Sequence, residues 1–283
     1  MDRESVLHHD LVQSAEARGP MAAHALGQAM KIRVLGCSGG IGGSLRTTAL
    51  LVDNDVLIDA GTGVGDLSLE SLARIDHIFV THSHLDHVTS IPFLVDTVCW
   101  MRARPIVVYG IKETLDILRE HLFNWRLWPD FTQIPDREKP FMVYREVALG
   151  EAIEIKGRRF TPIPAIHTVP AVGYALATSR ACLIYTGDTG RNEALWQVVN
   201  AARNLKYLII ETAFSNKERD VASASKHLCP ATLAEELGKM RANPEVYITH
   251  LKPGEGALTM SEVSQAAGRW RPRMLENNHV FSL

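Results

Sequence analysis

The sequence predicts an α+β sandwich in which two mixed β-sheets pack face to face and helices cover both outer sides. Three observations carry this. Short β-like runs alternate with helical segments along the chain, and the second half repeats the style of the first. Several runs end in loops bearing histidine or aspartate, which lines up polar side chains along one edge of the sheets. With 283 residues, 46% of them apolar, the chain is long enough for one layered core.

Residues 1–30 open acidic and lack an apolar h-region, so they predict a flexible or helical N-terminal extension and not a secretory signal. Residues 31–283 then form a single domain with a helical and aromatic insertion near 110–140. KIRVLGCSG (31–39) is the first strand. The GGIGG that follows lacks the GxGxxG register and a following helix, which excludes a dinucleotide-binding turn. TTALLVDNDVLIDAG (47–61) is a hairpin turning at Asn54 and Asp55. A helix is expected over 66–76, a strand over 77–81, a helix over 88–101, a strand over 105–110 and an amphipathic helix over 112–123. NWRLWPDFTQIPD crowds Trp125, Trp128 and Phe131 among polar residues. It reads either as a cap packed on the core or as an aromatic wall, Trp128 and Phe131 included, over a planar substrate group. Strands follow at 151–157, 158–166, 172–178, 181–187, 206–214 and 245–251, with a helix around 231–240.

THSHLDHV (81–88) packs His82, His84, Asp86 and His87 into six positions where an apolar run ends. That is a metal site in outline. Three more candidates follow strand-like runs: His167 in PAIHTVP, Asp188 in YTGDTG and His250 in YITHLKPG. Each divalent ion wants at least four donors, so four neighbouring ligands cannot close two sites. Seven ligands with a shared carboxylate and a shared water can, which gives His82, His84 and His167 on one ion, Asp86, His87 and His250 on the other, and Asp188 between them. Singly, His167 would be a loop histidine, Asp188 a turn residue and His250 a strand-end histidine; beside the cluster they form a set. Asp59, leaving VLID before a glycine, either caps a turn or accepts a hydrogen bond that fixes the tautomer of a ligand imidazole.

A net charge of -2 leaves no overall basic footprint of the kind a nucleic-acid surface needs, although Arg102, Arg104, Arg158, Arg159, Arg269, Arg271 and Arg273 are grouped in sequence and leave a local patch open. The longest apolar runs are strand-length, so no membrane span is expected. Cys37, Cys99, Cys182 and Cys229 are far apart without CxxC spacing and read as core thiols in a reducing, cytoplasmic compartment.

HSHLDH, HTVPAVGY, GDTG, ETAF, KHLCPATLAEEL and ITHLKPGE together resemble the metallo-β-lactamase superfamily over about residues 32–252, most of all the class II 3',5'-cyclic-nucleotide phosphodiesterases, with long-form tRNase Z relatives next. The resemblance implies the αββα fold and hydrolysis of a small phosphodiester by water activated between two divalent metal ions, zinc first, with manganese or iron as alternatives. Asp86 and Asp188 would then be catalytic through the metals. His227, in SKHLCP, matches a position that contacts the phosphate or assists departure of the leaving group, Glu211 would orient it, and Lys252 would bind a phosphate oxygen. Two departures stand out: Ile210 before Glu211, where the ribonucleases offer histidine, and Ser90 in place of a glycine. RNA is the alternative substrate and a homodimer through the helices of 88–123 the expected assembly. A di-iron oxygen-binding or sensing protein is the reading from another functional class.

Overall fold

The computed structural model describes residues 29–283, so the expected extension lies almost wholly outside the described residues. Strands β1 (Lys31–Gly36), β2 (Ala49–Val52), β3 (Val56–Ile58), β4 (His77–Phe79), β5 (Ile106–Gly110) and β6 (Met142–Glu146) build the first sheet. The second contains β7 (Ile153–Ile155), β8 (Arg158–Pro164), β9 (Val172–Ala177), β10 (Cys182–Tyr185), β11 (Leu205–Glu211), β12 (Glu245–Thr249) and β13 (Arg273–Met274). The last strand, β14 (Val280–Ser282), returns to the edge of the first sheet, giving the orders β14-β1-β2-β3-β4-β5-β6 and β13-β12-β11-β10-β9-β8-β7. Antiparallel hairpins lead into a parallel run in each sheet, β3 to β6 and β10 to β13. Strands of a parallel run end on the same side, so the loops after them collect at one end of the sandwich.

Three apolar layers follow. Between the sheets, Phe79 stacks on Tyr109 at 4.3 Å and on Phe160 at 4.7 Å, beside Tyr174, Leu183 and Ile209. Among the described residues, eight helices flank the sheets: α1 (Leu69–Leu72), α2 (Leu85–Val88), α3 (Ser90–Val98), α4 (Lys112–Ile117), α5 (Glu193–Ala201), α6 (Arg219–Ala224), α7 (Pro230–Leu237) and α8 (Gly256–Ala267). Leu94, Val95, Val98 and Leu115 of α3 and α4 cover Ile78 and Val108 of the first sheet. Trp196, Leu233, Leu237 and Val263 of α5, α7 and α8 cover Leu208 and Ile248 of the second. Each such side chain contributes about 1.5–3 kcal/mol by leaving water.

The helix expected over 66–76 shrinks to a 3₁₀ turn at Thr62–Asp66 and the single turn of α1, whose start Ser68 caps by accepting from the Ser71 N–H. Segment 88–101 is helical but starts three residues earlier, at Leu85. β6, β13, β14, α5 and α8 had no clear signal: β6 runs from buried to exposed along its length, and α8 (GALTMSEVSQAA) is built largely from small and polar residues, which blurs the period. The four cysteines are buried free thiols. Among the described residues, no helix is long and apolar enough to cross a membrane.

At the end away from the parallel-strand loops, the β2–β3 and β7–β8 turns are locked together by charge. Arg158 donates to Asp55 at 2.6 and 3.0 Å and to Asp53 at 2.9 Å, and Lys156 reaches Asp55 at 2.7 Å. Burial pushes the Asp55 carboxyl up, but the hydrogen bonds and charges of Arg158 and Lys156 outweigh it and hold the carboxyl below its ordinary value.

Candidate functional site

β4 delivers its chain into the loop Val80–His84, and α2 starts at once, with His84 extended at its N-cap and Asp86 and His87 in its first turn. One short segment thereby turns four side chains toward one point. The opposite wall comes from the second sheet: His167 after β8, Asp188 after β10 and His250 after β12. The two sheets are tied here, because the His250 N–H donates to the Cys37 carbonyl at 2.8 Å and Ser38 bridges Leu251.

Several of these side chains are aimed by left-handed backbone. Asp59 has φ +57°, His250 φ +64°, Lys226, just before His227, φ +54°, and Gly187, just before Asp188, φ +61°. A Cβ on Gly187 would stand 2.7 Å from the Val172 carbonyl oxygen, so only glycine fits. Strained non-glycine residues of this kind persist where the surrounding structure over-determines them, as at sites.

Nitrogen and oxygen atoms converge in three groups, each within 4.8 Å: His82, His84 and His167; Asp86, His87, Asp188 and His250; and His167, Asp188 and His227. Asp188 Oδ2 lies 3.2 Å from His250 Nε2, 3.4 Å from His87 Nε2 and 3.8 Å from His82 Nε2, between the first two groups. His84 Nδ1 and His167 Nε2 face each other at 3.1 Å. His82 Nε2, His87 Nε2, Asp188 Oδ1 and His250 Nδ1 are buried without a hydrogen-bond partner among the described residues. Buried polar atoms are seldom left so, and the histidine-carboxylate donor set suits borderline divalent cations.

The outward ring nitrogens are held. Asp59, fully buried, accepts from His87 Nδ1 at 2.7 Å, from the Thr81 N–H at 2.8 Å and from the Thr81 hydroxyl at 2.9–3.0 Å, and Thr81 Oγ1 in turn meets His82 Nδ1 at 3.0 Å. One carboxylate thus orients two imidazoles and turns both Nε2 atoms inward. His167 Nδ1 donates to the Lys226 carbonyl at 3.3 Å. Ser90, the residue in place of glycine, donates to the Gly61 carbonyl at 2.7 Å and so pins the Asp59 loop. Thr81 and Lys226 carried no sequence signal, since their roles arise only where strands meet.

Burial drives the His82 pKa well down, His167 to about 4 and His250 to about 3, which keeps these rings neutral with free lone pairs. At His87 burial acts the same way but Asp188 and Asp59 overcome it and raise the pKa well above the usual value, the mark of a pocket that favours a cation.

His227 donates from Nδ1 to Glu211 at 2.7 Å and stacks on His250 at 5.2 Å. Glu211, wholly buried, also accepts from the N–H groups of Thr189, Ala213 and Leu228, so it fixes His227 and the strand end together. Burial lowers the His227 pKa, but the Glu211 charge outweighs it and raises the value. Lys252 donates to the Gly39 carbonyl at 2.9 Å and lies 5.7 Å over the Phe214 ring, at the border of the site.

The aromatic wall needs correction. Phe131 is buried at 3% exposure in the layer between the first sheet and its helices, and Trp128 packs against that layer and Phe93. Phe131, sealed in a core layer, cannot stack on a substrate, while Trp128 is half-buried against that layer.

The beta-lactamase superfamily domain model matches residues 54–266, three quarters of the chain. The chain belongs to the metallo-β-lactamase superfamily. Similar curated proteins within it include the "Probable 3',5'-cyclic-nucleotide phosphodiesterase" of Yersinia pestis, 27% identical over 206 residues and covering 63% of this chain and 57% of that one. Ribonuclease Z of Thermococcus kodakarensis is 35% identical over 124 residues, 42% of this chain and 36% of the other. The chain therefore spans less than two thirds of either relative. The crystal structure of unliganded yeast PDE1 superposes with a TM-score of 0.74 at 19% identity, covering 90% of this chain and 100% of that one, which shows the shared fold.

Proposed function

We propose that this superfamily member is a metal-dependent phosphodiesterase that opens 3',5'-cyclic nucleotides to 5'-monophosphates. His82, His84 and His167 would hold one divalent ion, Asp86, His87 and His250 a second, and Asp188 would bridge them. The observation that carries this is the position of Asp188 between two donor groups in which His82 Nε2, His87 Nε2 and its own Oδ1 are buried without a hydrogen-bond partner among the described residues. Two bound cations would acidify a water and neutralise the non-bridging phosphate oxygens. Zinc is the first choice for such a donor set, with manganese and iron as alternatives.

The chain's own groups supply the rest. Asp59 and Thr81 hold His82 and His87 in one tautomer and one orientation. His227, steadied and charged by Glu211, stands beside His167 and His250 and gives its Nε2 proton to the departing 3'-oxygen. Lys252 adds positive charge at the border, where it meets a phosphate oxygen. Cyclic-nucleotide phosphodiesterase likeness and a small, deep cluster support a small substrate.

Ribonuclease Z likeness supports RNA as the second reading. Of the cations, however, Arg74, Arg102, Arg104 and Lys156 line a cavity beside Asp55 at the far end of the sandwich, where Asp76 and Asp55 pair with Arg102, Arg104 and Lys156. Exposed Leu85, Phe93, Trp100 and Leu127 support the homodimer, and the buried thiols a reducing compartment such as the cytoplasm. The test is metal analysis of purified protein followed by turnover of cyclic AMP, cyclic GMP, bis(p-nitrophenyl) phosphate and precursor tRNA. Two metal equivalents with cyclic-nucleotide hydrolysis are expected. Activity on precursor tRNA alone would transfer the protein to the ribonucleases, and bound iron without turnover would favour oxygen binding.

A further inference from the structure

Two cavities open among the loops at the ligand-bearing end of the sandwich, one at His167 and one at the residues that follow His250. The first, about 940 Å³, lies among the loops that leave β5, β6 and β8 and has His167 in its lining. The second, about 560 Å³, lies among the loops after β1, β12 and β13 and is lined by Ser38, Leu251 and Lys252, neighbours of His250. Both fall within the roughly 300–1,000 Å³ of small-molecule sites. His167 of the first donor group thus borders one cavity, and Leu251 and Lys252, which follow His250, line the other.

A 3',5'-cyclic nucleotide carries its nucleoside on one side of the phosphate and can occupy only one of the two. A linear diester has two limbs. The cavities also differ in charge. Beside His167, Glu113, Glu146 and Glu151 face a single cation, Lys112. Beside His250, Arg33, Arg46 and Lys252 outnumber Asp66 and Glu276, over an apolar floor that includes Leu35, Cys37 and Met274. The second therefore favours a limb with its own phosphate. The first favours a nucleoside offering N–H and O–H donors and repels a further backbone phosphate.

We infer that the site also takes a short linear 3',5'-phosphodiester with a terminal 5'-phosphate, a pNpN dinucleotide, seated across both cavities. This rests on the phosphodiesterase reading. The 5'-phosphorylated nucleotide lies on the Arg33–Lys252 side and the second nucleoside beside His167. The bond broken is the one opened in a cyclic nucleotide: a water oxygen bonds to phosphorus, the P–O3' bond breaks, O3' takes the His227 proton, and the water gives up one proton. One water is consumed and two 5'-mononucleotides form. Carboxylates beside His167 limit the chain to two units, which separates this substrate from long RNA.

The test compares metal-loaded protein on pApA, ApA, pApApA, cyclic AMP and bis(p-nitrophenyl) phosphate, together with calorimetric binding of a methylene-bridged pApA analogue that cannot be hydrolysed. The expected result is kcat/KM for pApA about fivefold or more above ApA, as for a part-exposed charge pair, slower turnover of pApApA, and binding of one analogue per protomer. Arg33→Glu should pull the pApA-to-ApA ratio toward one, and Glu276→Lys should raise it; the opposed signs separate a charge effect from misfolding. Turnover of cyclic AMP and the nitrophenyl ester without pApA would overturn the inference while sparing the phosphodiesterase reading. So would a ratio of one that neither variant moves, or equal rates on pApApA. No turnover of any diester would overturn both.

Discussion

Two buried polar clusters sit at opposite ends of the same strands. Asp55 enters β3 and Asp59 leaves it; Arg158 opens β8 and His167 follows its end. At the Asp55 end every charge has its complement, with Arg158 and Lys156 against Asp53 and Asp55 within 3.0 Å. At the other end, Asp59 satisfies only the outward nitrogens of the histidines, and the inward atoms His82 Nε2, His87 Nε2 and Asp188 Oδ1 have no partner among the described residues. A closed cluster staples the two sheets. An open one, kept in place by strained backbone at Asp59 and His250, is arranged to receive something.

If that contrast is right, damage at the two ends should differ in kind. Asp188→Ala should remove the shared ligand, lower metal content below two equivalents and abolish turnover, while thermal unfolding of the metal-free protein changes little; unaltered metal content would break the comparison. His227→Ala should cost about 10²–10⁴ in kcat, the usual worth of a placed acid, with metal content retained. Partial recovery in His227→Ala with a small added acid such as imidazole would mark proton transfer.

At the closed end, Arg158→Met should cost about 3–5 kcal/mol by leaving Asp55 buried without its main partner, measured by urea unfolding, with kcat preserved. Asp59→Asn should weaken metal affinity about 10–100-fold by loosening two imidazoles; a chelator competition reads this directly.

The smallest effect is one of pH. The Asp55 carboxyl is held below its unfolded value, so its stabilisation is present above that value, roughly pH 4, and is lost as pH falls through the folded one. Unfolding of the metal-free protein should therefore show an acid-side loss of stability that Asp55→Asn flattens.

The strand-ending cluster His82–His87 was legible because four donors packed into six positions at the end of an apolar run suit little besides a cation. His167, Asp188 and His250 were legible as strand-end residues, since a β-like run followed by glycine or proline says where a strand stops. Phe131 misled because crowded aromatics beside polar residues look alike whether they cap a core or line a pocket; only packing against Phe141 and the first sheet separates the two. In the sequence Asp59 fits a turn cap and a histidine partner equally, and the 2.7 Å bond to His87 is a fact of two strands meeting.

The sequence by itself determined which residues could bind cations and, through the order of its apolar runs, that two sheets would carry them. Local chemistry and periodicity are written in neighbouring residues. Tertiary structure alone decided that Asp188 stands between two donor groups, that Thr81 and Lys226 hold imidazoles, and that cavities of opposite net charge open at His167 and at the residues after His250. Most of these depend on distances of a few ångströms between segments far apart in the chain, set by strand register and by left-handed turns that no periodicity encodes.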